Sequence, residues 1–313
     1  MKSKSQDEHL RACEDRDELV EVVGLLDRAF DNTSREFFER HVLQDPTLQL
    51  ADTRVLVTDG AIISSVQIFP RVMAIVGDEV PFGGIGNVAT DPTERRKGLA
   101  ARVLEDAIRV MKEREYPFSM LTTTINAYYE RFGYRTLIRE VATIPPISGK
   151  IEPGIRKFRK EDDFKRVKQL YRQYTRGAIG PLIRGDIYWE GQFAFCGEDP
   201  EKFLVFEQDG ATRGYMRARL YKERVEILEY GAEGDIPGAF SALLRAEASM
   251  EPGYPIKLYL SKTEQSRIRL SVPHTLSDDT DLMILPLADR IRPTLEEHLT
   301  PRNAINFWLS DFF

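Results

Sequence analysis

Apolar residues recur at helical spacing between Asp15 and Phe38, most plainly in "ELVEVVGLLDRAF", and this stretch predicts helices. Strand-like runs follow. "TRVLVTD" reads as a strand that stops at Asp59-Gly60, and "AIISSVQIFPRVMAIVG" as a second that stops at Gly77-Asp78. A third, "VPFGGIGNVAT", brings the chain to residue 90. Helical spacing returns over residues 98 to 114. The strand "YPFSMLTTT", the short helix "INAYYERF" closed by Gly133, and the strand "YRTLIREVATIPPI" complete this half. Its order is helices, an antiparallel meander, a helix, a strand, a helix and a strand.

Residues 144 to 154, "IPPISGKIEPG", are rich in proline and glycine and predict a linker. Beyond it the plan partly repeats. "EDDFKRVKQLYRQYTRG" is a helix, and "EKFLVFEQDG", "TRGYMRARLYK" and "RVEILEYGAEG" are strands separated by turns. "DIPGAFSALLRAEASME" is a helix, and "YPIKLYLS" and "TDLMILPL" are strands. The repetition lies in element order rather than in residue identity. The expected fold class is α+β, with two tandem units, each a mixed, mostly antiparallel sheet flanked by helices. The expected boundaries are residues 1–148, residues 149–290 and a short helical or extended tail at 291–313.

A length of 313 residues accommodates two domains. A hydrophobic content of 42% with 30% charged residues describes a globular chain able to bury sizeable cores. The net charge of −6 argues against a general nucleic-acid binder, which is more often basic, and suits a cationic substrate only weakly. Cys13 and Cys196 lie far apart and read as free thiols. His9, His41, His274 and His298 show no zinc-ligand spacing, so no metal is expected. The N-terminus lacks the apolar core of a signal peptide, and no apolar run approaches a membrane span. The expectation is a cytoplasmic protein without membrane or nucleic-acid partners, with self-association left open.

Candidate chemistry concentrates in "NVATDPTERRKGLAARVLEDAI", residues 87 to 108. A strand meets a loop with two arginines, a lysine and a glycine, and an amphipathic helix follows. The first N–H groups of a helix are unpaired and carry partial positive charge, which makes them an anion site. Gly98 lets backbone approach a ligand without a Cβ in the way, Ala100 keeps the next inward position small, and Arg95, Arg96 and Lys97 add charge. A pyrophosphate fits such a cradle. A solvated basic turn is the alternative, and the loop alone does not choose. Neither G-x-x-x-x-G-K-[ST] nor G-x-G-x-x-G is present.

The pattern Arg95-x-x-Gly98-x-Ala100, after a strand and before a helix, resembles the coenzyme A pyrophosphate loop of the GNAT N-acetyltransferases. "YYERFGYR" resembles the Tyr-x-x-Phe-Gly-Tyr/Phe ending of the same family. "VATDPTERRKGLAARVLEDAI", "YPFSMLTTT" and "YYERFGYR" together are similar to the enhanced intracellular survival (Eis) type, as is "GPLIRGDIYWEG" in the second half. That type joins two GNAT-like domains to a sterol-carrier-like third. The likeness here covers most of residues 15 to 290, and residues 291 to 313 leave too little chain for the third.

The resemblance implies an N-acetyltransferase that moves acetyl from acetyl-CoA, its co-substrate, to a small-molecule or peptidyl primary amine by direct attack. The coenzyme site it implies is Asn87, Val88, Ala89 and Thr90 on the strand, then Arg95, Arg96, Lys97, Gly98, Leu99, Ala100 and Ala101. A backbone N–H at Val88 or a neighbour would face the thioester oxygen. Tyr129 matches the family's tyrosine acid, and its pKa of about 10 keeps it a donor at neutral pH. Tyr128 reads as pocket lining or core, and Tyr134 as a packed aromatic. The base is open among Glu36, Glu39, His41 and, by the Eis likeness, the terminal carboxylate of Phe313. In the second half "AEGDIPGAF" replaces the basic loop, and an acidic loop repels pyrophosphate. That half is expected to be non-catalytic and to wall the substrate pocket. Arg184, Tyr188 and Trp189 either line that wall or form a packed Trp beside a surface Arg. A non-catalytic acyl-CoA-binding or sensor module, and a transferase of another acyl group, are the competing functions.

Overall fold

The computed structural model describes residues 7–195 and 202–311. Strand β1 (Glu8–Ala12) precedes helices α1 (Arg16–Ala29) and α2 (Arg35–Leu43). The meander follows as β2 (Thr53–Thr58), β3 (Ala61–Ile75) and β4 (Asp78–Thr90). Next come α3 (Leu99–Glu113), β5 (Phe118–Thr122), α4 (Asn126–Glu130), β6 (Arg135–Thr136) and β7 (Arg139–Ile144). The second half holds β8 (Ile155–Lys157), α5 (Lys160–Tyr174), α6 (Asp186–Phe195), β9 (Phe203–Gln208), β10 (Ala211–Leu220) and β11 (Val225–Ala232). It ends with α7 (Ile236–Met250), β12 (Ile256–Leu260), α8 (Lys262–Ile268), β13 (Thr275–Asp279), β14 (Leu282–Pro286) and α9 (Arg292–His298).

Two mixed, mostly antiparallel sheets of seven strands result, as the α+β reading expected. Their orders are β1-β2-β3-β4-β5-β14-β6 and β13-β7-β12-β11-β10-β9-β8. Each contains one parallel pair, β4 with β5 and β11 with β12, bridged by α3 and α7 respectively. Local chemistry sets the helices. Asp15 caps α1 by accepting from the Glu18 N–H at 2.9 Å, and Val22, Val23, Leu25 and Leu26 form its buried face. Val103, Leu104, Ala107, Val110 and Met111 on α3 pack on Leu56, Ile68, Ile85 and Leu121 of the first sheet.

One arrangement departs from chain order. The stretch "YRTLIREVATIPPI" splits into two strands in different sheets. β6 stays in the first, while β7 sits in the second between β12 and β13. Reciprocally, β14 leaves the second half and sits in the first sheet between β5 and β6. Residues 291–311, expected as a tail, run through both interiors. Leu295, Leu299, Ile305 and Phe307 pack with Phe82, Phe118 and Met120, and Trp308 packs in the second core. Among the described residues no helix is long and apolar enough to cross a membrane.

Candidate active site

Strands β4 and β5 run together only from Gly83↔Ser119 to Ile85↔Leu121, although β4 continues to Thr90. Beyond Ile85 they part. The β3–β4 register shifts between Ser65 and Gln67, and Asn87 lies at φ +51° in the same stretch. Buried polar groups hold this kink. The Asn87 amide donates to Gln67 Oε1, Gln67 Nε2 donates to Thr53 Oγ1 at 3.0 Å, and Ser64 Oγ donates to the Ala89 carbonyl at 2.6 Å.

Beside the far end of β4, where it leaves β5, lies a cleft of about 550 Å³. Its walls are Val88, Ala89 and Thr90, the loop residues Arg95, Arg96, Gly98, Leu99, Ala100 and Ala101, and Ile125, Tyr128, Tyr129 and Arg131 around α4, with Ala29 and Phe30 from the end of α1. Gly98 is the N-cap of α3 at φ +80°, a conformation that L side chains rarely adopt, and among the described residues no side chain caps this helix end. Its first N–H groups are therefore left to the cleft. Arg95 Nη2 donates to the Ala29 carbonyl at 2.7 Å, which ties the loop to α1. Two expected residues are not on the wall. Asn87 is occupied by Gln67, and Lys97 is ion-paired with Glu94 at 2.7 Å. Ala29, Phe30, Ile125 and Arg131 are cleft residues that the sequence did not single out; only their places in the fold bring them there.

The three tyrosines separate by environment. Tyr134 is fully enclosed, and its hydroxyl pairs with Ser119 Oγ at 2.8 Å; burial pushes its pKa up. Tyr129 and Tyr128 both line the cleft, with rings edge to face at 5.0 Å. Burial pushes the Tyr129 pKa up to about 12, so it holds its proton at neutral pH. The Tyr128 hydroxyl is buried without a hydrogen-bond partner among the described residues. Gly133, at φ +90°, closes the turn behind α4, where its N–H donates to the Glu130 carbonyl at 2.9 Å.

Residues 10–137 match the model of the family described as Acetyltransferase (GNAT) domain. The N-terminal half is thus similar to a GNAT acetyltransferase domain. The N-acetyltransferase Eis of Mycobacterium bovis is 27% identical over 185 residues, which is 52% of this chain and 46% of that protein. The aligned stretch thus spans about half the length of the curated relatives. Among solved structures, a probable N-acyltransferase from Enterococcus faecalis V583 superposes with a TM-score of 0.71 at 18% identity, covering 93% of this chain and 74% of that one. Eis1 from Mycobacterium abscessus gives a TM-score of 0.63 at 16% identity over 90% and 73% of the two chains. The tandem α+β fold is Eis-like.

The second half offers a different helix end. Asp235 caps α7 by accepting from the Gly238 N–H at 3.1 Å, and Glu233 is held by Arg213 at 2.7 Å and by Arg166. An internal carboxylate occupies the place an anion would take. Arg184 is not a surface arginine, and none of Arg184, Tyr188 and Trp189 lines the cleft beside β4. The Arg184 side chain is wholly buried, bound to Glu229 at 2.6 Å and to Asp311 at 2.8 Å. Tyr188 donates to Asp311 Oδ1 at 3.1 Å, and Trp189 is core.

The expected bases fare differently. Glu36 pairs with Arg40 at 2.7 Å and Glu39 with Arg35 at 2.9 Å on the outer face of α2. His41 is buried and stacks on Phe37 at 4.1 Å, and burial drives its pKa down to about 4. None of the three lines the cleft. Phe313 lies outside the described residues, as does Cys196; Cys13 is a buried free thiol. Among the described residues no cluster of His, Cys, Asp or Glu is arranged to hold a metal.

Proposed function

We propose that the chain transfers an acetyl group from acetyl-CoA to a primary amine. The observation that carries this reading is one cleft lined by the far end of β4, the uncapped N-terminus of α3 with Arg95 and Arg96, and the Tyr129 ring. The residues fit the coenzyme: amides and guanidiniums suit its pyrophosphate, and the parted strands leave room for an extended arm. Acetyl-CoA supplies the activated thioester. The amine nitrogen attacks the carbonyl carbon, the carbon–sulfur bond breaks, and the thiolate takes the Tyr129 proton. The attacking nitrogen releases its own proton to solvent. Backbone N–H groups near Val88 are our candidate donors to the carbonyl oxygen as it gains charge. Holding the two reactants together removes the need for a covalent intermediate.

Loss of the Tyr129 hydroxyl tests this. Tyr129→Phe should keep its affinity for CoA and lower turnover by about a hundredfold or more, the scale of a lost general acid. Tyr128→Phe should change turnover much less. The measurement is thiol release from acetyl-CoA with a panel of primary amines, beside calorimetric titration with CoA. A crippled Tyr128→Phe with an active Tyr129→Phe assigns the acid to Tyr128. CoA binding without thiol release from any amine favours a non-catalytic acyl-CoA-binding module. Release only from longer acyl-CoA esters favours transfer of another acyl group.

A further inference from the structure

Three guanidiniums, those of Arg95, Arg96 and Arg131, line the cleft, and among the described residues none of them is in an ion pair. Four cations beside them on the loop and along α3 are paired. Lys97 is bound to Glu94 at 2.7 Å, Arg102 to Glu8 at 2.5 Å, Arg109 to Asp106 at 2.6 Å, and Arg114 to Asp52. In an acidic chain rich in carboxylates, cations kept unpaired around one concavity mark a place for anionic groups.

The three do not share one wall. Arg95 and Arg96 belong to the loop that ends at the α3 N-terminus, where a pyrophosphate satisfies both the charges and the free amides. Arg131 follows α4 on the other side, with its guanidinium stacked over Tyr128 at 5.1 Å and over Phe132 at 5.6 Å. Stacking limits the freedom of the side chain, so little ordering is lost when it meets an anion. Beside it, Ile125 and the Tyr128 ring give an apolar bed suited to a flat base. The cleft is thus built for a ligand with two separated anionic groups and an aromatic ring between or beside them. Coenzyme A has this composition: a pyrophosphate, an adenine, and a phosphate on the ribose 3′-oxygen.

We propose that Arg131 binds the ribose 3′-phosphate and makes the cleft selective for CoA over dephospho-CoA. This inference rests on the coenzyme reading of the cleft and adds the residue that recognises its third phosphate. Calorimetric titration of the full chain with CoA and with dephospho-CoA tests it without any acceptor amine. The expected result is that the protein prefers CoA by about tenfold, the scale of one charge-assisted contact at an exposed site. Arg131→Gln should erase that preference by weakening CoA alone, leaving dephospho-CoA affinity unchanged. Arg131→Lys should restore part of it. Equal weakening of both ligands in Arg131→Gln, a preference that survives that change, or its loss in Arg96→Gln instead would each overturn the assignment. So would equal affinity of the unaltered protein for the two ligands, while the coenzyme reading stands. If neither ligand binds the unaltered protein, the coenzyme reading itself falls.

Discussion

Glu247 and Glu229 are both wholly buried in the second half, yet their surroundings drive them in opposite directions. Arg184 and Arg217 face Glu229, and with Ser310 they hold its pKa down to about 2 despite burial. Glu247 lies on the inner side of α7, and neither carboxyl oxygen has a hydrogen-bond partner among the described residues. Burial raises its pKa to about 8 from an ordinary 4.5. The folded chain then holds a proton that the unfolded chain releases. Stability therefore falls as pH rises from 4.5 toward 8, by about 1.4 kcal/mol per pH unit. Glu247→Gln keeps the shape and removes the titration. Thermal unfolding should show a raised melting temperature for the variant at pH 8 and little change at pH 5. A gap between variant and parent that is the same at both pH values refutes the account. No linear pattern identifies such a residue, because "LLRAEASM" places Glu247 where an exposed helical glutamate would equally stand.

At the scale of elements, α3 and α7 occupy equivalent places between parallel strands and differ at their first turns. Gly98 leaves the α3 end without a side-chain cap, whereas Asp235 fills the α7 end and Pro237 removes one of its N–H donors. One CoA per chain is therefore expected at saturation, bound between β4 and β5. A second molecule at the start of α7, seen in a structure with CoA, contradicts this. Arg95→Glu or Gly98→Glu should abolish CoA binding in calorimetry, since each sets a carboxylate against the pyrophosphate. Asp235→Ala should leave it unchanged and cost about 1 kcal/mol of stability through the lost cap. The contrast between "TERRKGLA" and "AEGDIPGAF" was legible in the sequence, because a helix start depends on a few adjacent residues. Short or edge elements such as β1, β8, β13 and α8 were not, since few residues carry their periodicity.

For the whole molecule, the exchange of β7 and β14 makes each sheet depend on both halves of the chain. Arg139 at the start of β7 is buried against Asp279 of β13 at 2.6 Å. The Arg184–Asp311 pair anchors the last described residues in the second half. A fragment of residues 1–148 leaves the edge of β5 open and β7 without partners. Such a fragment should give no cooperative unfolding transition alone, and co-expression with residues 149–313 should restore a folded complex. A cooperative transition from residues 1–148 alone, monitored by circular dichroism, contradicts this dependence.

The sequence by itself determined what neighbouring residues control: the periods of the long elements, the turns at Asp59-Gly60 and Gly77-Asp78, the basic loop before α3, and the "YYERFGYR" turn ended by Gly133. These follow from backbone conformation and side-chain spacing within a few residues. Only the tertiary structure decided which sheet each strand joins, that the C-terminal segment runs through both cores, that Lys97 turns away to Glu94, and that Phe30 and Arg131 meet across one cleft. A strand's alternation shows that it has a buried face but not which strand lies beside it. Partners so distant along the chain are chosen by packing of the folded whole.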